Sequence, residues 1–129
     1  MSRILIVDDE PEILRVLRRV LEIEGHTVSD APDGKAALRY FAGNPADLVI
    51  SDIYMPDMDG IQFLMRVREA FPEARIVAMS GGGQISKEKV LGAASILGAV
   101  DVLEKPFTVE NVLEIVKRAL GKEDLDGDS

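Results

Sequence analysis

Five short apolar runs punctuate the chain, and each is followed by a longer segment whose apolar residues recur at helical spacing. The runs occupy residues 4–7, a weaker stretch at 27–28, then 48–50, 76–79 and 100–103. Several are unbroken Val, Ile and Leu, with no alternation of apolar and polar positions. A strand with one wet face alternates. An unbroken run predicts a strand covered on both faces, as in a parallel sheet packed between helices.

The intervening segments carry helix signals. Glu10-Pro11-Glu12 puts proline and acids at a helix start, after which Ile13, Leu17, Val20 and Leu21 share one face. Gly25 is placed to stop that helix. Asp33 can cap the second, which presents Ala37, Leu38 and Phe41 before Gly43-Asn44-Pro45 breaks it. A third spans 59–70, with Ile61 and Leu64 inward, and ends near Pro72. A fourth, within 85–97, is weakened by Gly92 and the alanines beside it. The fifth starts at Thr108, carries Val109, Val112, Leu113, Val116 and Leu120, and ends at Gly121. Strand then helix, five times over, predicts an α/β fold: a five-stranded parallel sheet, doubly wound as a (βα)5 flavodoxin-like sandwich with right-handed crossovers. One domain over 1–121 is expected, followed by an acidic, disordered tail at 122–129.

Composition narrows the function. With no cysteine, a disulfide scaffold and any thiolate zinc or iron–sulfur site are excluded. No run approaches the roughly 20 apolar residues needed to cross a bilayer. The opening MSRILIVDDE is too briefly apolar for a signal peptide, so a cytoplasmic protein without membrane insertion is expected. The net charge of −8 repels phosphate backbones, so direct nucleic-acid binding is not expected.

In doubly wound sheets, ligands bind beyond the carboxyl ends of the strands, near the switch in strand order. Asp8-Asp9-Glu10 follows strand one, Ser51-Asp52 ends strand three, Ser80 ends strand four, and Lys105-Pro106 follows strand five. Each has an ordinary explanation taken singly: a helix-start acid cluster, a loop cap, a flexible glycine-rich loop, a surface lysine. Their convergence on one end of one sheet points to a site. Crowded carboxylates repel unless a cation intervenes. All-oxygen ligands favour Mg²⁺, with Mn²⁺ as a possible substitute. Asp9 and Asp52 would ligate directly, Asp8 through water, and the backbone carbonyl of Tyr54 would complete the protein's share. Carboxylates can also accept a phosphoryl group. Asp52, ending a central strand, is then the nucleophile, while Ser80 donates to a phosphoryl oxygen and Lys105 neutralises charge.

These residues also resemble a family, the bacterial response-regulator receiver domain of the single-domain, chemotaxis-regulator-like type. The motifs are Ile-Val-Asp-Asp-Glu at 6–10, Asp-Ile-Tyr-Met-Pro-Asp-Met-Asp-Gly at 52–60, Met79-Ser80-Gly81 and Lys105-Pro106-Phe107, and the match covers residues 3–120. The resemblance implies a two-component phosphorelay role. Asp52 would take phosphate from a sensor histidine kinase or a histidine phosphotransfer protein, and Asp8 and Asp9 would serve magnesium. The Lys105–Pro106 bond would be cis. The domain would promote its own phosphorylation and dephosphorylation, and is not expected to act as an enzyme on a separate substrate. Phosphorylation would shift a pre-existing equilibrium at the face made by helix four, strand five and helix five. That shift would change contact with a downstream protein target, as a monomer or a phosphorylation-dependent dimer. One position departs from the pattern: Tyr or Phe commonly stands three residues before the lysine, and here it is Val102. Valine is small and stiff at χ1, so it cannot swing as a ring does.

Other functions fit less well. A haloacid-dehalogenase-like phosphatase needs a second aspartate two residues after its nucleophile, where this chain has Tyr54. A flavodoxin-like carrier needs a hydroxyl- and glycine-rich phosphate loop where Asp8-Asp9-Glu10 stands. A phosphorylation-independent pseudo-receiver adaptor usually loses one or more acids, and here the set is intact. His26, at the start of a strand, is expected to be a bystander, and Met55, Met58 and Met65 to be loop or core filler.

Overall fold

The structure, a computed structural model, describes residues 2–43, 45–53, 60–70, 72–80 and 101–128, with backbone alone for 42, 60, 61 and 121–128. Its elements in chain order are β1 (Arg3–Val7), α1 (Pro11–Ile23), β2 (Thr27–Ala31), α2 (Gly34–Gly43), β3 (Leu48–Asp52), α3 (Gly60–Ala70), β4 (Arg75–Ser80), β5 (Asp101–Glu104) and α4 (Val109–Asp128). The strands form one sheet in the order β2-β1-β3-β4-β5, and every pair is parallel. The order reverses between β1 and β3, which opens the crevice at their carboxyl ends.

The unbroken apolar runs are buried on both faces, as predicted: β3 is buried throughout, and β1 and β4 everywhere except their first residue. Successive side chains point to opposite sides of a strand. Ile4 and Ile6 therefore enter one core with Leu17 and Leu21 of α1 and Val112 and Val116 of α4. Leu5 and Val7 enter the other with Phe41 of α2 and Phe63, Leu64 and Val67 of α3. Each fully buried side chain of this size contributes roughly 1.5–3 kcal/mol. That is what holds the strand ends in register for the chemistry above them.

The helix ends follow local chemistry. Gly25 has φ 93°, and its N–H donates to the Glu22 carbonyl while that of His26 donates to the Leu21 carbonyl. This pair of bonds closes α1 in a Schellman motif. Asp33 caps α2 through its Oδ1, which accepts the Ala36 N–H at 2.8 Å. Thr108 and Asn111 cap α4 reciprocally: Thr108 Oγ1 accepts the Asn111 N–H at 3.0 Å, and Asn111 Oδ1 accepts that of Thr108 at 3.1 Å.

Four details differ from the sequence expectation. β2 extends to Ala31 through Ser29 and Asp30, poor strand formers, because pairing with β1 overrides propensity. β5 is Asp101–Glu104 among the described residues, ending one residue later than predicted. Val109, the first residue of α4, is 50% exposed and not part of the core face. α4 continues to Asp128, past Gly121 where the sequence places its end. A glycine inside a helix costs about 1 kcal/mol but stops it only by taking a left-handed cap, as Gly25 does. The predicted helix within 85–97, together with Tyr54, Met55, Met58 and the 81–83 glycines, lies outside the described residues. No described helix is long and apolar enough to cross a membrane.

Candidate functional site

Asp8 follows β1 directly and has no solvent exposure. Two hydrogen bonds fix it: its N–H donates to the Ala31 carbonyl at 3.2 Å, and its Oδ1 accepts the Glu10 N–H at 2.8 Å. The second bond also starts the turn into α1, so Asp9 and Glu10 project outward and are exposed. Asp52 ends β3, the central strand, and is 5% exposed. There the Ile53 N–H donates to the Met79 carbonyl at 3.2 Å, which keeps β3 joined to β4 beyond the acid. Ser80 ends β4, also buried, and its carbonyl accepts the Lys105 N–H at 2.9 Å. That bond carries the β4–β5 pairing one residue past the strand and brings Lys105 over the crevice. The peptide bond from Lys105 to Pro106 is cis.

The Lys105 ammonium joins the acids. Its Nζ donates to Asp8 Oδ2 at 2.7 Å, to Asp52 Oδ2 at 3.0 Å and to Glu10 Oε1 at 3.3 Å. Burial pushes the Asp8 carboxyl above its usual range and the Asp52 charge adds to this, although the Lys105 and Glu10 contacts pull the other way. Burial alone would lower Lys105, but its hydrogen bonds to Asp8 and Asp52 outweigh that and hold it above the ordinary lysine range. The two results are consistent, because one ammonium is divided among several carboxylates. The lysine gains from all of them, and each acid receives only a share. Ligand atoms of Asp8, Asp9 and Glu10 also lie within 4.8 Å of one another. Negative charge is in excess on an all-oxygen donor set, the condition that suits a hard divalent cation.

Of the residues singled out from sequence, Asp8, Asp52 and Lys105 touch, Asp9 stands beside Asp8, and Ser80 reaches Lys105 through its backbone. Val102 is buried in β5 opposite Ala78. Tyr54 is outside the described residues. Glu10 is the member that sequence reasoning missed, because it reads as a helix-start acid; its signal was a third acid in an unbroken run after a strand. His26 lies at the other end of the sheet, where its Nδ1 accepts the Ser2 N–H at 3.2 Å.

A family model described as the response regulator receiver domain matches residues 4–117. The chain belongs to this family. Among curated relatives of this receiver domain, response regulator GtcR of Aneurinibacillus migulanus is 41% identical over 115 residues, covering 89% of this chain and 45% of that protein. Transcriptional regulatory protein KdpE of Mycobacterium tuberculosis is 38% identical, covering 93% and 51%. The chain thus spans about half the length of these relatives. Among solved structures, chemotaxis protein CheY4 of Vibrio cholerae superposes with a TM-score of 0.85 at 32% identity, over 93% of this chain and 99% of that one. A CheY-like receiver domain protein of Methanospirillum hungatei gives 0.87 at 28% identity, over 98% of both chains.

Proposed function

We propose that Asp52 is the phosphoacceptor of this receiver domain, taking its phosphoryl group from a phosphohistidine on a sensor histidine kinase or a histidine phosphotransfer protein. The observation that carries this reading is the Lys105 ammonium held 3.0 Å from Asp52 Oδ2. An Asp52 oxygen forms the new P–O bond as the histidine N–P bond breaks, and the imidazole leaves with the electron pair. Charge develops on the transferred oxygens, so the residues act by position and electrostatics. Lys105 follows from the carboxylate to a phosphoryl oxygen, and the Ser80 hydroxyl donates to another. Asp8, Asp9, Asp52 and the Tyr54 carbonyl would hold Mg²⁺, which when bound offsets the negative charge that one lysine leaves uncompensated. Water attack on the acyl phosphate resets the domain, so it is a phosphoacceptor acting on itself and not an enzyme with a separate substrate. The same reading makes it cytoplasmic, with a downstream protein as its target and self-association at most phosphorylation-dependent.

The test is incubation with acetyl phosphate, with and without Mg²⁺, followed by intact mass. One phosphoryl adduct that needs the metal and disappears in Asp52→Ala is expected. An adduct that survives Asp52→Ala, or forms equally without the metal, overturns the reading. No adduct on the wild-type protein with Mg²⁺ would favour a phosphorylation-independent adaptor.

A further inference from the structure

A groove of about 470 Å³ runs along α4, away from the acidic site, towards His26 and the end of α1. Its floor is Leu21 of α1 with Val116 and Leu120 of α4, all buried, and half-buried Leu113 forms one wall. The rim is charged and exposed: Glu24, Glu110 and Glu114 against Lys117. Glu24 and Glu110 form no ion pair with another described residue, and the Glu114 pair with Arg118 is solvent-exposed on both sides. His26 borders the groove, and its Nδ1 accepts the Ser2 N–H.

From these features we infer that the groove between α1 and α4 docks a basic amphipathic helix of a partner protein. Length fits first. Glu110 and Leu120 are ten residues apart, about 15 Å of helix. That distance takes three apolar anchors at i, i+4 and i+7, the pattern by which helices enter grooves. Charge then selects the occupant. Glu24 and Glu110, neither of them ion-paired with a described residue, face the Lys117 ammonium. Glu114 is only partly offset by its exposed pair with Arg118, so lysine and arginine are attracted beside those anchors. The carboxylates repel a second copy of this chain, whose own net charge is −8.

The test uses ¹⁵N-labelled protein and a synthetic Leu/Lys peptide with leucines at i, i+4 and i+7, alongside a scrambled peptide of the same composition. Saturable binding is expected, with amide shifts concentrated at His26, Leu113, Val116 and Leu120. The double variant Glu24→Lys, Glu114→Lys should weaken binding by about tenfold or more. Leu113→Ala should weaken it as well, and at high salt. Shifts centred on Asp8–Glu10 or spread evenly would overturn the inference. So would equal binding of the scrambled peptide or equal binding by the charge-reversed protein. Sedimentation that shows self-association protecting these amides would assign the groove to a second copy instead.

Discussion

The Asp8 carboxylate and the Lys105 ammonium lie 97 residues apart in the chain and meet at 2.7 Å, with Asp8 sealed from solvent. Lys105→Met therefore leaves Asp8 and Asp52 without their shared cation. Breaking a buried pair by removing one partner costs about 3–5 kcal/mol. Exposed Glu10 and nearby water relax part of this, so a loss near the lower bound is expected from urea unfolding in EDTA. Adding Mg²⁺ should recover part of that loss by mass action. An unchanged midpoint would mean that the contact does not hold the crevice together.

Asp8 also sets a pH dependence in the metal-free protein. Its folded pKa is raised above 3.8, so the folded state holds the proton more tightly than the unfolded chain does. Ionising it therefore works against folding. Its contribution to stability should fall as pH rises from about the unfolded value through the raised folded one, read as the difference between wild type and Asp8→Asn. Asp8→Asn should remove that fall and raise the neutral-pH urea midpoint in EDTA. Urea titrations across the acid range check the sign; a variant that loses stability at neutral pH would contradict it.

Magnesium affinity should follow position in the acidic cluster. Asp9→Asn removes a proposed direct ligand and is expected to weaken Mg²⁺ binding by more than about 100-fold, whereas Glu10→Gln, which acts only from beside the ligands and through Lys105, costs about 10–100-fold or less. Calorimetric titration with the metal alone separates the two.

At Val102 the prediction concerns packing as well as signalling. The side chain is 8% exposed in β5, so Val102→Tyr overpacks the site and is expected to cost about 1–3 kcal/mol. If output needs a ring here, the variant should change the amide shifts that beryllofluoride induces across β5 and α4. Identical shifts in both proteins would show that the position has little part in the response.

Gly25→Ala tests the end of α1. At φ 93° a Cβ is strained, and a loss of about 1 kcal/mol is expected in thermal melts.

Much of this architecture was legible because it rests on local chemistry. Unbroken Val/Ile/Leu runs located β1, β3 and β4, Asp33 and Gly25 marked helix ends, and the rule about strand ends located the acids. What was hidden depends on neighbours distant in sequence. Ser29 and Asp30 are strand only because β1 lies alongside. Glu10 belongs to the cluster because a lysine arrives from the far end of the chain.

That last arrangement bears on when the protein can work. The acids are translated with β1 and β3, but β5 and Lys105 follow only after β4, and the earlier strands cannot position a lysine that has not been made. A ribosome-bound chain that ends before residue 105 would expose Asp8 and Asp52 without their cation. On the proposed phosphoacceptor reading, such an intermediate would be a poor acceptor even with its first strands paired, so competence waits for β5 to join the sheet.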